Sequence, residues 1–212
     1  MTRIKAVLWD MDGTLVDSEP LAVEALHRAM TEAGLEVPPD LHDRVVGRAA
    51  DDLYRWFVAD FGLQMDPVAW ERRKHHHYFL AAAKLRGFPE AIACWHRLDL
   101  SGVAQAVVSN SDRAIVDVNL RAVGLARPGL ITVARNDLRR GKPDPEGYLR
   151  AAWLLEAGIA DCLVIEDSSS GAAAGLASGI RTLFVPHATM TAPAGVTQLA
   201  DMAELDALIA GA

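Results

Sequence analysis

Apolar and polar positions follow two rhythms along this chain. The first apolar run, Ala6-Val7-Leu8-Trp9, shows no alternation. It reads as a strand buried on both faces of a sheet. Past Asp17 the rhythm turns helical. Leu21, Ala25, Leu26, Ala29 and Met30 recur at helical spacing behind Ser18, a capping residue type, and Gly34 closes the run. Further helices are expected over about 40–46, 51–61 and 67–85, and nothing between 18 and 86 reads as a strand. From Gly87 strands and helices alternate. Phe88-Pro89 opens a helix to about Leu98. Residues 104–109 form an apolar strand stopped by Asn110. Asp112 caps a helix closed by Gly124, and 130–134 is a short strand. Asp144-Pro145 starts a helix to about Glu156, since proline suits a first helical position. Residues 163–165 form a strand running into Glu166-Asp167. Residues 171–178 are helical, 182–185 are the last strand, and a helix over about 202–209 ends the pattern.

This alternation predicts an α/β fold, a doubly wound parallel sheet, with an all-helical block inserted after the first strand. The expected division is a sheet domain of residues 1–17 and 86–212 and a helical domain of 18–85. Gly171, Gly175 and Gly179 fall every fourth residue and predict a helix face packed close to the sheet.

Composition narrows the function. The chain has 212 residues, 51% of them hydrophobic, enough for one sizeable core and a satellite domain. A net charge of -7 gives duplex nucleic acid no electrostatic support. Cys94 and Cys162 stand far apart with no CxxC context, so they read as buried apolar residues in a reducing compartment. Arg3 and Lys5 precede only four apolar residues before Asp10, too few for a signal segment, and no run approaches a membrane span. The expectation is a cytoplasmic protein, monomeric or a weak dimer, that touches neither nucleic acid nor membrane.

Candidate chemistry sits at strand ends, where open parallel sheets bind ligands. Asp10 ends the first apolar run, and Asp12 follows two residues later, on the same side in an extended chain. Ser109 and Asn110 end the second strand, Glu166 and Asp167 the fourth, and Lys142 lies in the Arg140-Gly141-Lys142-Pro143-Asp144 connection. Four carboxylates gathered in this way repel, at about 4 kcal/mol per pair 4 Å apart at an effective dielectric of about 20. A hard divalent cation relieves that repulsion, and oxygen ligands without His or Cys favour Mg2+ over Zn2+. The cation together with Lys142 suits a phosphoryl group. Lys142 does not belong to a P-loop, because Asn136 and Pro143 stand where that motif needs a glycine and a Ser or Thr.

Four stretches, in order, resemble the haloacid dehalogenase (HAD) superfamily, in the branch that holds phosphoglycolate phosphatase, sugar-phosphate phosphatases and β-phosphoglucomutase. They are DMDGTLVD from Asp10, VVSNS at Ser109, GKPDP at Lys142 and VIEDSSSG at Glu166 and Asp167. The resemblance covers nearly the whole chain. It implies a Rossmann-like core with the helical block as a cap, and a Mg2+-dependent phosphatase acting on a small phosphorylated metabolite, a sugar phosphate or phosphoglycolate-like acid. It implies Asp10 as nucleophile, Asp12 as general acid and base, and Ser109 with Lys142 as the phosphoryl-binding pair. Asp10, the Asp12 main-chain carbonyl and Asp167 match the metal ligands, with Glu166 bound directly or through water. Asn110 is assigned to substrate.

The same resemblance weighs the alternatives. Dehalogenases lack the second aspartate, so Asp12 argues against them. The mutase pattern has a histidine ten residues after that aspartate, where this chain has Ala22, which favours hydrolysis. A non-catalytic member that binds a phosphorylated metabolite has no need of both aspartates. Gly47-Arg48 resembles a cap stretch that reaches substrate, where Arg48 serves a second anionic group or is a surface residue. His75-His76-His77 turn about 100° apart on a helix, so they read as a solvated face and not as a metal site. Trp56, Phe57, Phe61 and Trp70 read as packing of the helical domain.

Overall fold

A computed structural model describes residues 4–45, 50–185 and 191–210. The chain divides into two compact units, Met1–Asp17 with Arg86–Ala212, and Ser18–Leu85.

The first unit is built on a six-stranded parallel sheet. Its strands are β1 (Ala6–Trp9), β4 (Ala104–Val108), β5 (Ile131–Val133), β6 (Cys162–Glu166), β7 (Arg181–Phe184) and β8 (Thr197–Gln198). Their spatial order is β5-β4-β1-β6-β7-β8, so β1 lies inside the sheet with β4 on one flank and β6 on the other. All four residues of β1 have no exposed surface. Its even positions, Ala6 and Leu8, pack with Ala106, Val108, Val164, Tyr148 and Ala151. On the other face Trp9 meets Trp95 with ring centres 5.9 Å apart, and Trp9 Nε1 donates to Gln105 Oε1 at 3.0 Å. Both faces are therefore covered, which explains why β1 reads as an unbroken apolar run. The helices of this unit are α5 (Pro89–Leu100), α6 (Arg113–Ala122), α7 (Glu146–Leu154), α8 (Ser169–Ala177) and α9 (Ala203–Ala210). Gly171 and Gly175 of α8 do lie close to neighbours, Glu166 and Thr182, whereas Gly179 falls beyond the helix.

Two strand pairings were not legible in the pattern. A two-residue pair, β2 (Val16–Asp17) with β3 (Arg86–Gly87), joins the points where the chain leaves this unit and returns. β8 extends the sheet past the expected last strand, and both of its residues are exposed, so no apolar run announces it. Pro145 stands at the N-cap of α7 instead of its first helical position.

The regular elements among the described residues of the second unit are all helices: α1 (Glu19–Glu32), α2 (Leu41–Val45), α3 (Ala50–Phe61) and α4 (Pro67–Ala81), followed by a 3-10 turn, Ala82–Lys84. The five residues read as the inner face of α1 are all buried. Phe57 and Trp70 have no exposed surface and anchor a core with Leu26, Met30 and Leu63, with Trp56 and Phe61 packed against it. Asp66 caps α4, accepting from the Ala69 N–H at 3.0 Å. The histidine run is corrected in part. His76 is exposed, but His77 is buried, its Nε2 lying 3.1 Å from Glu32 Oε2 and out of line for a hydrogen bond. Helical rotation explains the split, since only one of three successive side chains can face the neighbouring helix. Among the described residues no helix is long and apolar enough to cross a membrane.

Candidate active site

Register brings the candidate residues together. Trp9 pairs with Val107 on one side and Ile165 on the other, so the next level of the sheet holds Asp10, Val108 and Glu166, and Ser109 and Asp167 follow. Adjacent strands lie about 4.8 Å apart, so groups leaving three neighbouring strands at one level converge. The Asp10 N–H still donates to Ile165 O at 2.9 Å, which ties the start of the loop to the sheet.

Beyond Asp10 the chain turns at once. The Leu15 and Val16 N–H groups both donate to Met11 O at 2.9 Å. Gly13 makes that turn with φ +85°, and a Cβ there would lie 2.0 Å from Asp167 Oδ2. Glycine is therefore required twice, for its backbone angle and for the close approach of Asp167. Asp12, one residue before that turn, is close enough for its charge to act on Asp10, and its carboxylate has donors of its own. Asp12 Oδ2 accepts from Ser109 Oγ at 3.0 Å and Ser111 Oγ at 2.8 Å, and Oδ1 accepts from Asn119 Nδ2 at 3.1 Å. Ser109 Oγ in turn accepts the Ser111 N–H at 2.9 Å.

Lys142 is the centre of the charged cluster. Its Nζ donates to Asp10 Oδ1 at 2.5 Å and Glu166 Oε1 at 2.6 Å, with only 5% of the side chain exposed. Both ends of the Asn110 amide hold the Lys142 main chain. Oδ1 accepts its N–H at 2.8 Å, and Nδ2 donates to its carbonyl at 3.2 Å. Tyr148, which the sequence reading missed, lies beneath. Its hydroxyl donates to Glu166 Oε1 at 2.6 Å, and Lys142 Nζ sits 5.0 Å from the ring centre. Glu166 has no exposed surface, and its Oε2 accepts from the Asp167 and Ser168 N–H groups and from Ser168 Oγ. A Cβ at Gly171 would fall 1.7 Å from Glu166 Oε1, so this carboxylate fits only against a bare stretch of α8. Gly47 and Arg48 lie outside the described residues.

Burial sets the electrostatics. It pushes the Asp10 carboxyl well above the usual range, against the pull of Lys142 and with further push from Glu166, Asp167 and Asp12. Burial also lowers the Lys142 ammonium, but Asp10 and Glu166 outweigh it and hold Lys142 above its ordinary value. Burial, then Glu166 and Asp10, raise the Tyr148 hydroxyl, which stays a donor. Asp167 is pushed up to about 7 by burial and by Glu166, against Lys142 and a backbone hydrogen bond.

The site fits a cation. One oxygen each from Asp10, Glu166 and Asp167 lie within 4.8 Å of one another. Asp10 Oδ2 is buried with no hydrogen-bond donor, a costly state that a cation would relieve. The donors are all carboxylate oxygens, which suits a hard ion such as Mg2+. A stability test follows from Asp167. Its folded pKa lies above the unfolded value of about 3.9, so its contribution is fully present below about pH 4 and lost as pH rises through about 7. In chelator, thermal stability is expected to fall across that window, and Asp167→Asn is expected to flatten the fall. Parallel melting profiles for the two proteins would refute this assignment.

Comparison with known proteins agrees with this geometry. Residues 4–179 match the family described as haloacid dehalogenase-like hydrolase. Hexitol phosphatase A of Escherichia coli is 31% identical over 86% of this chain and 83% of its own length. The plasmid-encoded phosphoglycolate phosphatase of Cupriavidus necator is 32% identical over 96% of this chain and 89% of its own. In fold, the chain is similar to CbbY of Rhodobacter sphaeroides in complex with phosphate, with a TM-score of 0.85 at 21% identity, covering 95% and 96% of the two chains. The chain belongs to the haloacid dehalogenase-like hydrolase family.

Proposed function

We propose that this chain is a Mg2+-dependent phosphatase that hydrolyses a small phosphate monoester through an aspartyl-phosphate on Asp10. The observation that carries the reading is Asp10 itself, a buried carboxylate held through one oxygen by Lys142 and left without a donor at the other. Relatives named for hexitol phosphate and phosphoglycolate support a small sugar-phosphate or phospho-acid substrate.

Asp10 is ionised when paired with Lys142 and attacks phosphorus without a base. As the Asp10–phosphorus bond forms, the bond to the leaving oxygen breaks and Asp12 donates its proton to that oxygen. Water then attacks the phosphorus, Asp12 takes a proton from it, and Asp10 is released. Ser109 and Lys142 bind the phosphoryl oxygens. Asn110 keeps Lys142 in place and borders the substrate, and Arg48 is assigned to a second anionic group of the substrate. Asp10, Asp167, Glu166 and the Asp12 main-chain carbonyl would hold Mg2+. Bound there, the ion supplies positive charge opposite the carboxylates and orients the phosphoryl group. The helical unit of residues 18–85 is assigned as a cap that selects the substrate.

The test is phosphate release from p-nitrophenyl phosphate and from a panel of sugar phosphates and phospho-acids. Turnover is expected with Mg2+ and is lost in chelator. No release from any compound in the presence of Mg2+ would refute the reading.

A further inference from the structure

The buried face of α6 is Ile115, Val116, Asn119 and Leu120, so one polar side chain stands in an apolar stripe. Asn119 has no exposed surface. An amide withdrawn from water in this way is costly unless it is bonded, and Asn119 Nδ2 spends a hydrogen bond on Asp12 Oδ1 at 3.1 Å. The other Asp12 oxygen faces two hydroxyls, Ser109 Oγ and Ser111 Oγ. The two sides of this carboxylate therefore differ in chemistry. A hydroxyl donates to a carboxylate and can rotate to accept from a carboxylic acid. An amide N–H donates in both cases.

We infer that Asn119 is a positioning residue that makes Oδ2 the proton-carrying oxygen of Asp12. With its N–H fixed on Oδ1, that oxygen stays the carbonyl when Asp12 is protonated. The proton is left on Oδ2, the side of Ser109, which binds the phosphoryl group. This inference rests on the proposed acid–base role of Asp12 and names the group that orients it. Without Asn119 the proton is shared between the two oxygens and the carboxyl group can rotate away from the leaving oxygen.

The experiment uses leaving-group dependence. Asn119→Leu removes the donor at similar volume, and Asn119→Ser is a smaller change should leucine not be accommodated. Each is compared with Asp12→Asn, using kcat/KM on 2-glycerophosphate, whose alkoxide must be protonated, and on p-nitrophenyl phosphate, whose phenolate leaves with little help. The expected loss for the Asn119 variants is about tenfold greater on 2-glycerophosphate than on p-nitrophenyl phosphate, part of the 10²–10⁴ that general acid catalysis supplies. Asp12→Asn shows the same asymmetry, more strongly. Asymmetry in Asp12→Asn but equal losses in the Asn119 variants overturns the inference and leaves the role of Asp12 standing. No asymmetry in Asp12→Asn overturns that role and the inference with it. If neither Asn119 variant folds, as read by thermal unfolding, the demand for Asn119 is structural and the inference falls.

Discussion

Asp10→Asn is expected to abolish turnover while leaving the fold as stable as before or more so. The amide keeps the shape of the side chain but is a poor nucleophile and a weaker ligand for a cation. Loss of a nucleophile on this scale costs about 10⁴-fold or more in kcat. Stability moves the other way because the wild-type carboxyl is buried and its pKa is raised well above the usual range. Holding the carboxylate ionised in the fold therefore carries a desolvation cost that a neutral amide avoids. Lys142 keeps its second partner, Glu166, at 2.6 Å. The measurements are steady-state hydrolysis, mass spectrometry of acid-quenched protein for phosphoenzyme, and thermal unfolding in chelator. Activity within tenfold of wild type, or a phosphoenzyme in the variant, would remove Asp10 from its proposed role.

Lys142→Met is expected to cost both activity and stability. Methionine fills a similar volume but carries no charge. It leaves Asp10 and Glu166 facing one another across a buried space that Nζ bridged at 2.5 and 2.6 Å. Removing one partner of a buried pair costs about 3–5 kcal/mol, because the remaining charge is left uncompensated. The penalty falls on ionised carboxylates, so the sign with pH is definite. Lys142 is the charge that pulls the Asp10 pKa down, so the gap from wild type is widest near neutral pH and narrows on acidification as Asp10 takes up its proton. Denaturant unfolding at about pH 7 and pH 5 in chelator reads this. Activity falls as well, by about 10²–10³ if Lys142 stabilises charge on the transferring phosphoryl group. A stability gap of the same size at both pH values would mean that Lys142 acts through packing alone.

These effects depend on residues of unequal visibility in the sequence. Asp10, Glu166 and Asp167 could be placed together because Asp10 and the Glu166-Asp167 pair each end an apolar run, and parallel strands deliver their ends to one edge. Lys142 could be joined to them through the motif that contains it. Asp12 was legible as a residue, but nothing local to it names its partners Ser111 and Asn119. The roles of Tyr148 and Asn119 were not legible. Tyr148 reads as one more large side chain on the inner face of a helix, and nothing local shows that its hydroxyl meets Glu166. Asn119 did leave a signal, a polar residue in an apolar helical stripe, but only the packing of α6 identifies its partner.

The sequence by itself determined the helices and the five longer strands, and their order. Burial on two faces imposes continuous apolar runs, burial on one helical face imposes the 3.6-residue period, and both are local patterns. It also determined which residues lie at the strand ends. Tertiary structure alone decided the strand order, with β1 between β4 and β6, and the added edge strand β8, whose two exposed residues carry no pattern. It alone decided which oxygen of which carboxylate meets which donor. Those contacts span separations of 24 residues for Lys142 and Glu166, 107 for Asp12 and Asn119 and 132 for Asp10 and Lys142. A hydrogen bond depends on angles and on tenths of an ångström, and over such separations these are set by how helices pack on the sheet.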